Sequence, residues 1–356
     1  MIARALGKLR LLVVDDSASN RRHVAELLAA TAEVEVVGEA ADGQEALTQV
    51  FQLKPDAVTL DLEMPRMNGF TFLRLLMARQ PTPVIVISRH SEKESVFKAL
   101  EFGAIDFLEK PLRWSDADRE TLLPQLLDKV RLLRSLLAER GTLRHADHQV
   151  RPVRGKPPSD PARSARTAPR RIVAIASSAG GPAALLEIFS KLPERAPIAV
   201  LVAQHMPPRF TATFAQRLDY RSRLTVSEAC DGDRVVAHRG YVCPGDRSME
   251  LELDSNGEDL RVRLVPARPD DRYLPNADRL LQSVARVAGP RAVGVVLTGM
   301  GDDGAQGAAA IRRNRGLVVV ESRETAVVPG MPTAAAPYAD HVLGLDEITQ
   351  LLVKLT

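Results

Sequence analysis

Aromatic residues make up only 4% of this 356-residue chain, and there is a single tryptophan. That scarcity argues against a stacking platform for single-stranded nucleic acid, which needs a succession of rings. Cysteine is nearly absent: Cys230 and Cys243 stand in no C-x-x-C pairing. Such usage fits a reducing compartment and predicts two half-buried small apolar side chains. No apolar run approaches the ~18 residues of a membrane span, and the N-terminal MIARALGKLR lacks a signal-peptide core. The expectation is a cytoplasmic protein without membrane insertion.

What is present describes an ordinary soluble globular chain, 45% hydrophobic and 26% charged. At this length two domains are the natural reading. The net charge of +3 is not spread over the whole surface. Residues 140–171, RGTLRHADHQVRPVRGKPPSDPARSARTAPRR, carry nine Lys/Arg against two Asp, a local +7 that leaves the remainder at −4. The stretch has five prolines and almost no apolar residues. It cannot bury enough surface to offset its ordering entropy, so it reads as an extended linker. A basic linker can bind nucleic acid or an acidic surface, but nothing resembling a recognition helix accompanies it, and no nucleic-acid partner is expected. His145 and His148, an isolated pair on a flexible segment, make a poor metal site.

Before the linker, short apolar runs alternate with amphipathic stretches. LRLLVV, VEVVGEA, DAVTL, PVIVIS and IDFLEKP each lead to a helical pattern, the last a long one around Glu120 to Ala138 with apolar residues at 122, 126, 130, 133 and 137. Near-continuous apolar strands in βα alternation imply a parallel sheet covered on both faces. In such sheets ligands gather at the carboxyl ends of the strands. Those ends carry Asp15 and Asp16, then Asp61, Ser88 and Lys110. An aspartate after a strand is often a helix cap, but caps do not explain all five. Crowded carboxylates call for a hard cation with oxygen ligands, and Mg²⁺ suits them. LLVVDDSASNRR, VTLDLEMPRMNG, VIVIS and FLEKP resemble the receiver domain of two-component response regulators. The resemblance implies a flavodoxin-like fold with strand order 2-1-3-4-5 and Asp61 as phosphoacceptor, with a histidine kinase as phosphodonor. It also implies metal binding by Asp15, Asp16, Asp61 and the backbone carbonyl of Glu63. Ser88 and Lys110 would contact the phosphoryl group, Phe107 would occupy the aromatic switch position, and the Lys110–Pro111 bond would be cis.

After the linker, RIVAIAS (171–177), IAVLVAQH (198–205), AVGVVLTG (292–299) and LVVVES (317–322) read as a second set of parallel strands. Between them YVCPGD, SMELELD and LRVRLVP, broken by Pro-Gly and Asn-Gly, suggest an antiparallel excursion. The strand-end rule now selects Ser177 or Ser178, then His205, then Asp302 or Asp303, the parts of a nucleophilic triad. The IASSAGG turn also reads as a phosphate cradle or as a tight turn with idle hydroxyls. His238 and His341 are competing bases, and a lone histidine before Pro-Pro is more often a turn residue. GMGDDG at 299–304 matches G-x-G-x-x-G, with Glu321 near where a ribose-binding acid falls. Two aspartates at the place of a pyrophosphate count against that dinucleotide reading. A plain helix cap explains one aspartate but not the glycines around it.

IASSAGG, VLVAQHMP, LTGMGDDGAQG and VVPGMPTAA resemble the catalytic domain of the chemotaxis protein-glutamate methylesterase (CheB) family, in the family's order behind a receiver and a linker. The resemblance implies a receiver over 8–138, a linker over 139–169 and a doubly wound α/β esterase domain with a hairpin insert over 170–356. It implies Ser178 as nucleophile, His205 as base and Asp303 as orienting carboxylate, with Ala179, Gly180, Gly181 and Met300 beside them. Ala179 stands where the family usually has threonine, and Ala176 where it has glycine. The implied activity is hydrolysis of glutamate γ-methyl esters and deamidation of glutamines on chemoreceptors, with no cofactor for the hydrolysis. An unphosphorylated receiver would cover the esterase cleft and restrain it. The alternative is a non-catalytic, phosphorylation-dependent binding regulator, favoured only by Ala179.

Overall fold

In the computed structural model the apolar runs of the first half become β1 (Leu9–Val14), β2 (Val34–Ala40), β3 (Ala57–Leu60), β4 (Val84–Ser88) and β5 (Asp106–Glu109). The structure describes residues 8–88, 93–111, 114, 116–139, 167–269 and 271–356. Helices α1 (Ala18–Ala29), α2 (Gly43–Leu53), α3 (Gly69–Arg79), α4 (Lys93–Glu101) and α5 (Asp116–Glu139) alternate with the strands. Ser17, Asp42 and Asn68 cap the first three helices by accepting backbone N–H bonds in the opening turn. The sheet runs β2-β1-β3-β4-β5, parallel throughout, as the receiver resemblance implies. Strands β3 and β4 are buried along their whole length, the signature of a sheet covered on both faces.

The chain divides into two units, Met1–Arg144 and His145–Thr356. The second holds a seven-stranded sheet in the order β14-β13-β12-β6-β7-β9-β8. Its strands are β6 (Arg171–Ser177), β7 (Ile198–Gln204), β8 (Thr225–Glu228), β9 (Arg239–Val242), β12 (Ala292–Val296), β13 (Leu317–Glu321) and β14 (His341–Leu343), all parallel. Its helices are α6 (Gly181–Lys191), α7 (Pro208–Arg221), α8 (Ala277–Ala288), α9 (Ala305–Arg313), α10 (Gly330–Ala335) and α11 (Leu345–Lys354). The expected hairpin is β10 (Arg247–Leu253) with β11 (Leu260–Pro266), turning near Gly257. Met249, Leu251 and Val262 drop from it into the core beside Leu280, Leu281 and Val284 of α8.

Three expectations need correction. The YVC segment belongs to β9 in the parallel sheet, not to the antiparallel excursion, and Gly240, Tyr241 and Val242 are all buried, without the alternation of a half-exposed strand. Among the described residues the cis peptide bond is Leu274–Pro275 and not Lys110–Pro111. The cysteines are not alike: Cys243 is fully buried, with its thiol pushed up by burial, whereas Cys230 is exposed. The expected linker falls mostly on residues 140–166, outside those described.

Candidate active site and phosphoryl site

Each sheet has a point where the chain leaves one strand for both sides, and there the carboxyl ends open a crevice. In the first unit it lies between β1 and β3. Asp15 and Asp61 are buried there at 3% and 5% exposure, with Asp16 exposed beside them. Lys110 Nζ reaches in from the end of β5, 2.6 Å from Asp61 Oδ2 and 2.7 Å from Asp15 Oδ2. Asp61 Oδ1 accepts from Leu62 N at 2.8 Å, and Asp15 Oδ1 from Ser17 N at 2.9 Å. Ser88 ends β4, its carbonyl accepting from Lys110 N at 2.7 Å, and Phe107 is buried in β5.

One oxygen from each of Asp15, Asp16 and Asp61 lies within 4.8 Å of the others. Three carboxylates against one ammonium leave an excess of two negative charges, which a divalent cation matches. The all-oxygen donor set with an exposed edge suits Mg²⁺, which keeps part of its water. Glu63 is exposed on the turn after β3 and supplies none of the clustered carboxylates.

In the second unit the crevice lies where β6 stands between β12 and β7. Ser178 follows β6, His205 follows β7, and Asp303 lies between β12 and α9. His205 Nε2 and Asp303 Oδ2 are 2.7 Å apart, and the histidine side chain is 13% exposed against 1% for the aspartate. Asp303 is also held by the start of α8: Oδ2 accepts from Ala277 N at 2.8 Å and Oδ1 from Asp278 N at 2.9 Å. There the carboxylate meets bare N–H groups at the positive end of the helix. Asp278 itself, bonded through Oδ1 to Gly307 N at 2.7 Å, is pushed up to about 6 by burial first, with the charges of Asp303 and Asp302 adding.

The two serines differ. Ser177 is fully buried and its Oγ donates to Gln204 Oε1 at 2.7 Å, so its hydroxyl serves the fold. Ser178 is half-buried. Gln204 Nε2 donates to the carbonyls of Ser178 and His205 at 2.8 and 3.0 Å, tying the two strand ends together. Gly180 has φ +78°, and a Cβ there would also meet Val327 at 2.8 Å, so the turn after Ser178 requires glycine. Gly181 N is bonded to Ser178 O at 2.8 Å. Ala179 is buried, its carbonyl accepting from Thr298 Oγ1 at 2.8 Å, and Met300 is half-buried after β12.

The rival readings meet specific obstacles. His238 N bonds to Ile198 O at the beginning of β7, the end opposite His205. His341 opens β14 rather than ending it. Glu321 is 1% exposed and accepts from Thr298 N at 2.8 Å, so it cannot meet a ribose. Asp302, by contrast with Asp303, is 65% exposed.

Sequence reasoning missed Gln204, the support from α8 and, above all, Tyr273. The Tyr273 ring lies parallel to that of His205, with centroids 5.2 Å apart and planes 4° from parallel. It sits ahead of α8 in RYLPN, a short stretch without periodicity, where an aromatic in so aromatic-poor a chain was the available signal.

The family model for CheB methylesterase matches residues 173–352, and that for the response regulator receiver domain matches 11–119. The protein-glutamate methylesterase/protein-glutamine glutaminase 3 of Geobacter sulfurreducens is 46% identical over 362 residues, spanning 98% of this chain and 97% of its own. The corresponding enzyme 1 of Myxococcus xanthus is 47% identical over 353 residues, with 98% and 97% covered. Among solved structures, the CheB methylesterase catalytic domain of Thermotoga maritima is 39% identical with a TM-score of 0.50, and the match covers 52% of this chain and 98% of that one.

Proposed function

Because the chain belongs to the CheB methylesterase family, it hydrolyses protein glutamate methyl esters and deamidates protein glutamines, and we propose that Ser178, His205 and Asp303 carry both reactions on chemoreceptors. The observation that supports this most is the 2.7 Å contact of His205 with a buried Asp303, on the strand ends flanking Ser178. With Nε2 held by the carboxylate, Nδ1 is the nitrogen left to take the serine proton. Ser178 Oγ bonds to the ester carbonyl carbon while its proton passes to His205, and the carbonyl electrons move onto oxygen. The turn Ala179–Gly180–Gly181 and the segment of Met300 border that oxyanion. Its collapse breaks the bond to the methoxy group, which leaves as methanol with the proton from His205. Water, giving a proton to His205, then attacks the acyl carbon, and Ser178 departs with that proton. A glutamine substrate follows the same course with ammonia as leaving group. Asp303 orients the ring and stabilises the imidazolium that forms twice per turnover.

Asp61 is the phosphoacceptor of the regulatory unit, with a histidine kinase as phosphodonor. Asp15, Asp16 and Asp61 would hold Mg²⁺, which when bound offsets the charge of the incoming phosphoryl group. Lys110, already paired to Asp61, follows the phosphoryl oxygens, and Ser88 and Phe107 report the change. Phosphorylation relieves a restraint on the esterase unit.

The test is methanol release from methylated chemoreceptor membranes by the full-length protein, with and without acetyl phosphate and Mg²⁺. Release that rises with the phosphodonor and disappears in Ser178→Ala is expected. Release surviving in Ser178→Ala overturns the assignment, and the absence of any release favours a binding regulator.

A further inference from the structure

A hydrogen bond at one nitrogen does not fix an imidazole. The ring stays free to swing about the Nε2···Oδ2 line, and that swing carries Nδ1 away from its partner. Beyond the nucleophile itself, the turn after β6 offers no side-chain hydroxyl to stop it, since residue 179 is a buried alanine, and the nearby Thr298 hydroxyl is engaged by Ala179 O and Val328 N. The ring therefore needs a contact on its face.

We propose that Tyr273 is a positioning residue of the esterase: its ring, stacked flat on His205, holds the imidazole plane so that Nδ1 faces Ser178, and Asp302 holds Tyr273 in place. The proposal rests on the Ser178–His205–Asp303 reading. The stacking is close to parallel, at 5.2 Å between centroids. The Tyr273 hydroxyl donates to Asp302 Oδ1 at 3.2 Å. Burial and the charge of Asp302 both push the phenol up, so it keeps the proton it donates. Arg272 adds to the clamp, its guanidinium 5.2 Å from the Tyr273 ring centre and 3.8 Å from Asp302 Oδ1. Gly301 makes room for it: a Cβ there would stand 2.3 Å from the Tyr273 hydroxyl oxygen, on a backbone at φ +90°.

The adjacent aspartates of the GMGDDG segment thus divide the work. Asp303 turns inward to the edge of the histidine ring, while Asp302 turns outward to the residue covering its face. This gives the second glycine and the first aspartate of that segment a function that a nucleotide would have claimed. When His205 takes the serine proton, its positive charge develops against an aromatic face, which attracts cations within about 6 Å. Tyr273 therefore restricts the ring before the proton moves and favours it afterwards.

The experiment is steady-state methanol release by phosphodonor-activated full-length protein carrying Tyr273→Leu, Tyr273→Phe or Asp302→Asn, with Ser178→Ala as control. Tyr273→Leu is expected to lower kcat about 30-fold with KM within about 2-fold, because a misplaced base slows the chemistry without touching receptor binding. Tyr273→Phe keeps the stacking and is expected to restore kcat to within about 3-fold of wild type. Asp302→Asn, which weakens the same hydroxyl contact, is expected to lower kcat by no more than Tyr273→Phe does, within about 3-fold, and that loss disappears in the Tyr273→Phe background, the non-additivity of a linked pair. If Tyr273→Leu proves unstable, that pair of variants carries the test alone. An inactive Ser178→Ala together with unchanged kcat in Tyr273→Leu, or with a rise in KM alone, overturns the role of Tyr273 and leaves the triad standing. Full activity in Ser178→Ala overturns the triad itself.

Discussion

The two units build on the same plan, a parallel sheet with its carboxylates at the strand ends where the topology divides, yet they neutralise those carboxylates differently. In the first, Asp15 and Asp61 share one ammonium, Lys110, at 2.7 and 2.6 Å. In the second, Asp303 is held by two backbone N–H groups at the start of α8 and by His205. A flexible lysine can follow a charge that moves, so the first site suits a group that arrives and leaves. A helix terminus cannot move, so the second suits a base that must return to the same orientation at each turnover. The difference accords with the proposed roles of a switch in the first unit and a catalyst in the second.

The largest effects break the rigid site. Ser178→Ala and Asp303→Asn should each lower methanol release by about 10⁴-fold or more, read as kcat on methylated receptor membranes. Asparagine at 303 sets an NH₂ group against the N–H groups of Ala277 and Asp278 or against His205, so the base loses its orientation. A loss below 10-fold in Asp303→Asn would mean that the helix terminus, not the carboxylate, does the orienting.

Next comes the flexible site, where the prediction concerns stability. Lys110→Met leaves two buried carboxylates facing each other without a cation, which should cost the first unit about 3 kcal/mol in EDTA. Adding Mg²⁺ should recover more of the melting temperature in the variant than in wild type, because the metal replaces the missing charge. Equal Mg²⁺ responses would show that the ion sits elsewhere. A smaller effect distinguishes the serines: Ser177→Ala should destabilise the second unit by about 1–2 kcal/mol by leaving Gln204 Oε1 without its donor. Its kcat should stay within about 10-fold of wild type, whereas Ser178→Ala abolishes turnover at little cost in stability.

Both strand-end clusters were legible in the sequence because continuous apolar strands end sharply and the residues after them must lie on one rim. Asp15, Asp61, Ser88, Lys110 and His205 could all be read this way, and the carboxylate of the second cluster as far as the pair Asp302 and Asp303, between which resemblance chose. The choice between Ser177 and Ser178 came from resemblance, and the structure adds its physical ground: one hydroxyl is buried on Gln204 and the other is half-exposed. Apart from Gln204, which ends β7, what could not be read comes from outside the strand ends. Tyr273 reaches His205 from a loop more than sixty residues away, and α8 meets Asp303 only because the hairpin returns the chain to that side. Neither has a period or spacing that points to its partner. The expectation that put Tyr241 in the antiparallel excursion failed for a related reason, since a four-residue strand is too short to show whether its apolar residues alternate.

The smallest effect probes how much strain the rigid site tolerates. Asp278 caps the approach of α9 through its bond to Gly307 N, but burial and the neighbouring charges raise its carboxyl from 3.8 to about 6. A carboxyl raised on folding holds its proton more tightly in the folded state. Below about pH 4 both states are protonated and the residue is neutral to stability. As the pH rises to about 6 the unfolded chain ionises first, stability falls, and above that the whole penalty remains. Solvent screening of this partly exposed group reduces the penalty to about 1 kcal/mol. Asp278→Asn keeps an acceptor for Gly307 N and drops the charge, so it should raise the melting temperature of the second unit by about 2–4 °C at pH 8. At pH 4 the gain should vanish. A gain of the same size at both pH values would assign the effect to helix geometry rather than charge, and a loss at pH 8 would mean that the ionised Asp278 supports the start of α8 more than it opposes Asp303.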